Sequence, residues 1–152
     1  MNKFFYIVLL IILDFLIKII VFNYISLNSF ITILPILDIA HIHNYGISFG
    51  LFSGIIPSWV IILITSVVTI TIVYLMIQAS NKVEKWGFTL IIAGAISNIF
   101  DRVINNYVLD FIYLHYKQFY WPAFNFADIY ITLGVLMILS QVFKGFKKKI
   151  TK

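Results

Sequence analysis

WVIILITSVVTITIVYLMI, residues 59–77, carries no charged side chain and is long enough to cross about 30 Å of hydrocarbon as one helix. Working outward from it, three further stretches are apolar and long enough to do the same, each with one or two charged residues inside: residues 4–22, 86–104 and 126–143. The composition agrees with four spans. The chain of 152 residues is 62% hydrophobic with a mean hydropathy of +1.02, and its 11% of charged residues lies far below the roughly 25% of a soluble domain. The expected fold is an all-α polytopic membrane protein, a single integral-membrane domain over residues 1–152, with a small extracytoplasmic and β-containing loop region.

The first span is preceded by Lys3, as a signal peptide would be. Its length, its internal Asp14 and Lys18, and the lack of a small-residue cleavage site argue for a retained helix. Eight lysines fall on one side of the four spans: Lys3, the pair Lys82 and Lys85, and Lys144, Lys147, Lys148, Lys149 and Lys152. Arg102 and Lys117 are all the other side holds. Both termini are therefore expected in the cytoplasm, and segments 23–58 and 105–125 outside. The net charge of +5 comes largely from the terminal lysines. They read as an anchor to membrane phospholipid rather than as a nucleic-acid surface. Segment 23–58 is rich in Ile, Leu, Phe and Thr with Pro35 and Pro57 as punctuation, which suits short strands or a surface-lying segment. With no cysteine present, thiol nucleophiles and disulfides are excluded.

Carboxylates are costly in so apolar a chain, and it has six acidic residues, five of them Asp. Asp14 and Lys18 stand four apart and share a helix face, which suits a neutralised pair turned into the bundle. Gly94, Asn98, Asp101 and Arg102 form one stripe near the end of the third span. A helix-end ion pair between Asp101 and Arg102, with Asn98 as a packing hydrogen bond, accounts for that stripe. The other account uses the planar guanidinium of Arg102, the chain's one arginine, to bind carboxylate or backbone carbonyls. Asn125 and Asp128 have the spacing of a helix cap answered from the first turn. They also allow a dyad: were Asp110 to face Asp128, the two could not comfortably both ionise, and the pair would share a proton. One carboxylate would then activate water while the other protonates, which hydrolyses a peptide without a covalent intermediate. His41, His43 and His115 show no metal-binding spacing such as H-E-x-x-H, so no metal is expected, and no G-x-S-x-G elbow offers a serine nucleophile.

Taken in order, these segments resemble lipoprotein signal peptidase, also called signal peptidase II, a family of bacterial membrane aspartyl proteases. Asp14-Phe15-Leu16-Ile17-Lys18 resembles its first-helix motif and His43-Asn44-Tyr45-Gly46-Ile47-Ser48-Phe49-Gly50 its outer-loop motif. Gly94 to Arg102 resembles the third-helix motif, Val108-Leu109-Asp110-Phe111 the first catalytic motif, and Phe124-Asn125-Phe126-Ala127-Asp128 the second. Ala93, Ser97 and Asn106 stand where the family usually has glycine. Phe15 and Ile129 replace polar or small neighbours of Asp14 and Asp128. Every polar side chain of the motifs is present.

The resemblance implies an endopeptidase of the bacterial cytoplasmic (inner) membrane, acting at its extracytoplasmic face. It would remove the signal peptide from diacylglyceryl-modified prolipoproteins, cutting before the lipid-bearing cysteine, as a monomer without metal or organic cofactor. By carry-over, Asp110 and Asp128 form the catalytic dyad, and Asn44, Asn98, Arg102 and Asn125 position substrate or support the dyad. Asp14, Lys18 and Asp101 brace the bundle, Gly46 lets backbone approach closely, and Gly94 lets helices do so. An apolar loop with Phe49, Leu51 and Phe52 is expected to lie on the membrane and close over the site. Two readings compete. A small proton-coupled carrier would use Asp14, Lys18, Asp101 and Arg102 as an ion path, but it should cluster them near the midplane within an internal repeat, and no repeat is visible. A scaffold would use the aspartates only as caps.

Overall fold

In the computed structural model the described residues are 2–47 and 51–150, with side chains described through Lys144. Four helices carry the chain: α1 (Lys3–Tyr24), α2 (Ser58–Gln78), α3 (Lys82–Asn105) and α4 (Phe126–Ile150). Each contains a stretch apolar and long enough to span a bilayer. The residues turned outward are themselves apolar, as Leu63, Ile64, Val67 and Ile70 on α2 illustrate, while Asp14, Lys18, Ser97, Asn98, Asp101 and Arg102 are buried. A chain that hides its ionic groups and exposes its aliphatic ones is built for lipid. It is a multi-pass membrane protein.

α3 is the central helix: 56% of its most apolar stretch is buried within the protein, against 11–17% for the others. Glycine lets α4 come close. A methyl group at Gly87 would stand 2.9 Å from the Gly134 carbonyl oxygen, and one at Gly134 would collide with the Gly87 carbonyl oxygen. One turn pair further along, a methyl at Gly94 would collide with the Ala127 carbonyl oxygen and come within 2.8 Å of Ile131 Cγ1. Backbones in direct contact supply the van der Waals packing that holds helices together when lipid surrounds them.

The all-α part of the expectation is corrected, and the expected β-containing region is a four-stranded antiparallel sheet at one end of the bundle, opposite the start of α1 and the end of α4. Its strands run in the order β1 (Phe30–Leu34), β2 (Leu37–Asn44), β3 (Val108–Tyr116) and β4 (Phe119–Tyr120). Segment 23–58 supplies β1 and β2, and segment 105–125 supplies β3 and β4, both rich in the β-branched and aromatic residues that favour strands. The pairing that makes one sheet of them is non-local, with Leu37 opposite Leu114 and Asn44 opposite Val108. No pattern within either segment encodes that register. Val21, Leu109 and Phe111 form the core that joins α1 to the sheet, with Ile17, Ile39 and Phe126 packed around it.

Two departures from the family pattern have local explanations. Asn106 ends α3 with φ 64° and ψ 7°, the left-handed conformation that asparagine tolerates best after glycine, and its N–H closes on the Arg102 carbonyl. Ser97 is buried and donates a 2.6 Å hydrogen bond to Asp14 Oδ2, a contact glycine could not make. Nothing in the structure explains Phe15.

Candidate active site

Asp110 lies on β3 and Asp128 in the first turn of α4, and both line one cavity of about 220 Å³ between α2, α3, α4 and the sheet. Strand register sets the first. Ile42 faces Asp110 across the β2–β3 pair and Asn44 faces Val108, so Asn44 is the diagonal neighbour of Asp110 on the same sheet face. Asn44 Nδ2 donates to Asp110 Oδ2 at 3.0 Å, and Asn44 Oδ1 accepts the Gly46 N–H at 3.0 Å.

The second carboxylate is set by the helix start. Asn125 Oδ1 accepts the Asp128 N–H at 3.0 Å, and Asp128 Oδ2 accepts the Asn125 N–H at 3.2 Å, a reciprocal capping box. The capping account and the dyad account are therefore compatible, because Asp128 keeps a second oxygen. Asn98 Nδ2 donates to that Oδ1 at 2.9 Å. Asn125 completes the frame, with Nδ2 2.7 Å from Asp110 Oδ1 and 3.3 Å from Asn98 Oδ1. Each of the four carboxylate oxygens thus receives one hydrogen bond from an asparagine. Burial, and next the neighbouring charge of Asp128, push the Asp110 carboxyl up to about 7.

A second layer lies beneath. Lys18 Nζ sits 2.6 Å from Asp14 Oδ2, 2.7 Å from Asp101 Oδ2 and 3.4 Å from Asn98 Oδ1. The expected Asp14–Lys18 pair is present. The proposed Asp101–Arg102 ion pair is replaced by Asp101–Lys18, since adjacent residues on a helix point about 100° apart and only Asp101 faces α1. Arg102 turns the other way. Its Nη2 donates to the Gly46 carbonyl at 2.7 Å and its Nη1 to the Asn98 carbonyl at 3.2 Å. Its buried Nε has no protein partner, and the residue lines the cavity.

The residues Asn44, Gly46, Asn98, Arg102, Asp110, Asn125 and Asp128 therefore come together, with Gly94 behind Asp128 and with Asp14, Lys18 and Asp101 one layer deeper. The histidines stand apart. His41 Nε2 and His43 Nε2 are 3.0 Å apart, His43 stacks on Tyr107, and His115 faces Asp38. Of the expected lid, Phe49 lies outside the described residues; Leu51 and Phe52 are exposed, and the Leu51 carbonyl accepts the Ile47 N–H at 2.9 Å.

Sequence reasoning missed the wall of the cavity formed by Thr65, Val68, Thr69 and Ile72 of α2. Their spacing of three, four and seven is a helical stripe that could have been read. Each threonine hydroxyl donates at 2.7 Å to the carbonyl four residues earlier, which leaves the wall without a free donor.

Comparison with known proteins accords with this geometry. A family model described as signal peptidase (SPase) II matches residues 6–144. The lipoprotein signal peptidase of Thermodesulfovibrio yellowstonii is 38% identical over 141 residues, covering 92% of this chain and 91% of its own. That of Pelagibacter ubique is 41% identical over 127 residues, with 81% and 74% covered. A solved structure described as a bacterial membrane enzyme superposes with a TM-score of 0.89 at 29% identity, over 97% of this chain and 90% of that one. Cavity, carboxylates and whole-chain similarity converge on one assignment: the chain belongs to the signal peptidase II family.

Proposed function

We propose that the protein is an aspartic endopeptidase that removes the signal peptide from diacylglyceryl-modified prolipoproteins, cutting before the lipidated cysteine. The observation that carries this reading is the pair Asp110 and Asp128, lining one cavity and tied together through Asn125. Asp128, at the positive end of the α4 dipole, is the ionised partner, and Asp110 holds the shared proton. Asp128 takes a proton from water while the water oxygen bonds to the scissile carbonyl carbon. Asp110 gives its proton to the carbonyl oxygen. On collapse, the proton on Asp128 passes to the leaving amine nitrogen, Asp110 recovers one from the diol, and the C–N bond breaks.

Arg102 lines the cavity and its buried Nε has no protein partner, so a substrate carbonyl reaching it would satisfy that donor. The chemistry uses no metal or organic cofactor. A substrate held by its acyl chains and signal helix arrives already oriented, so remote binding supplies the positioning. The site faces outward from the cytoplasmic membrane, the termini lie in the cytoplasm, and a single protomer holds the whole machinery.

The test is incubation of the purified protein in lipid with a diacylglyceryl-modified prolipoprotein, following signal-peptide release by mass. Wild type should cleave before the modified cysteine, whereas Asp110→Asn and Asp128→Asn should fold and fail. Cleavage persisting in both variants would place the chemistry elsewhere.

A further inference from the structure

A second cavity, of about 450 Å³, lies beside the first along the start of α4. Trp121, Ala123 and Phe124, in the connection from β4, form one wall, and Ile129 and Leu133 form the other. It shares two residues with the first cavity, Asp128 and Ile131, which stand three apart on one face of α4. Asp128 and Ile131 therefore border both spaces.

The two spaces differ in chemistry. The first is rimmed by Asn44, Asn98, Arg102, Asp110 and Asp128, groups able to satisfy a peptide backbone. The second offers Asp128 at its edge and otherwise mainly aromatic and aliphatic residues, and the Thr132 hydroxyl is taken up by the Asp128 carbonyl at 2.8 Å. It runs along the first two turns of α4, the part of that span nearest the sheet. A space of this kind binds hydrocarbon.

We infer that the second cavity is the subsite for an acyl chain carried by the substrate's lipidated cysteine. The inference rests on the peptidase reading and adds to it which face of α4 takes the lipid. The modified cysteine follows the scissile bond directly, so its glyceryl group lies within one residue of the dyad, about 3.5 Å of chain. The chain must leave through an apolar opening that starts at the catalytic carboxylates. The second cavity starts at Asp128. The peptide on the other side of the bond keeps the polar first cavity and its α2 wall. Continuity with Asp128 favours the substrate's own chain over a membrane phospholipid as occupant.

The experiment uses a prolipoprotein bearing a diazirine within one acyl chain, bound to Asp128→Asn protein in phosphatidylglycerol vesicles, photolysed and mapped by mass spectrometry. Label on 121–124 and 129–133 is expected, and a tenfold excess of unlabelled prolipoprotein should remove it. Label on 65–72 would reverse the assignment, and label that competing prolipoprotein leaves in place, or that diazirine-phosphatidylglycerol alone reproduces, would make the occupant bulk lipid. Leu133→Trp and Ala123→Leu, which narrow the space from its two walls, provide a kinetic readout. Each should raise KM about tenfold for a long-chain substrate and leave a short-chain substrate nearly unchanged. Equal effects on both substrates, or none on either, would overturn the inference while wild-type cleavage left the peptidase reading intact. Failure of wild type on both substrates would overturn the two together.

Discussion

Asp14 of α1 accepts the backbone N–H of Ala127, with 3.1 Å between Oδ1 and N, so the first turn of α4 is capped from another helix. Ala127 is fully buried, and no water can substitute. The same carboxylate holds Lys18 through its other oxygen. The position of Asp128 thus depends on a residue in the first span.

Asp14→Ala should therefore cost both stability and activity. It strips the α4 cap and leaves Lys18 with one carboxylate partner, a loss of about 3 kcal/mol by comparison with other broken buried pairs. Thermal unfolding in detergent and the cleavage rate should fall together. Unchanged values would show that the ion cluster supports neither.

The pH response should be dominated by Asp110. Its carboxyl is raised from 3.8 to about 7, so between those values the folded protein binds a proton that the unfolded chain releases. Stability therefore falls as pH rises through this window, by a few kcal/mol, and activity should fall above about pH 7 as the pair loses its proton. Asp110→Asn should abolish activity and flatten the dependence of melting temperature on pH. A melting profile identical to wild type would place the titrating group elsewhere.

Arg102→Lys keeps the charge and removes the fork. Lysine cannot reach the Gly46 and Asn98 carbonyls together while also keeping a third donor fixed beside them. A loss of about 2 kcal/mol, roughly thirtyfold in kcat/KM, is expected with little change in melting temperature. Full activity would mean that the guanidinium only braces the Gly46 turn.

Gly94→Ala tests the spacing of α3 and α4. The added methyl meets the Ala127 carbonyl, which is backbone and cannot rotate away, so α4 must move at the turn that carries Asp128. A shift approaching 1 Å at the dyad would cost about a hundredfold in kcat. Overpacking at the helix contact should cost about 1–3 kcal/mol of stability. Retained kcat would show that α4 yields without displacing the carboxylate.

The four spans were legible because uninterrupted apolar length is a local property, and α1 to α4 contain the expected stretches with ends extended by at most a few residues, α4 more. The Asp14–Lys18 pair was legible for the same reason, being one helical turn apart. What could not be read was contact between distant segments. Asp101 meets Lys18 across 83 positions, and the glycine contact of Gly87 with Gly134 spans 47. Asn125 could be read as a cap from Asp128 three residues on, whereas its hold on Asp110 depends on how β3 returns beside α4. The second cavity beside α4 arises from the path of Trp121 to Phe124, a connection with no periodic pattern to read.

The asparagines around the dyad have an environmental consequence. Asn44, Asn98 and Asn125 fix both carboxylates with neutral amides, and the charged Lys18 cluster is buried where dissolved ions do not screen it. The spacing of the two aspartates is therefore set by groups that ionic strength does not weaken. An enzyme framed in this way holds its geometry whether the fluid bathing the membrane is dilute or briny, and leaves salt to act on the approach of substrate alone.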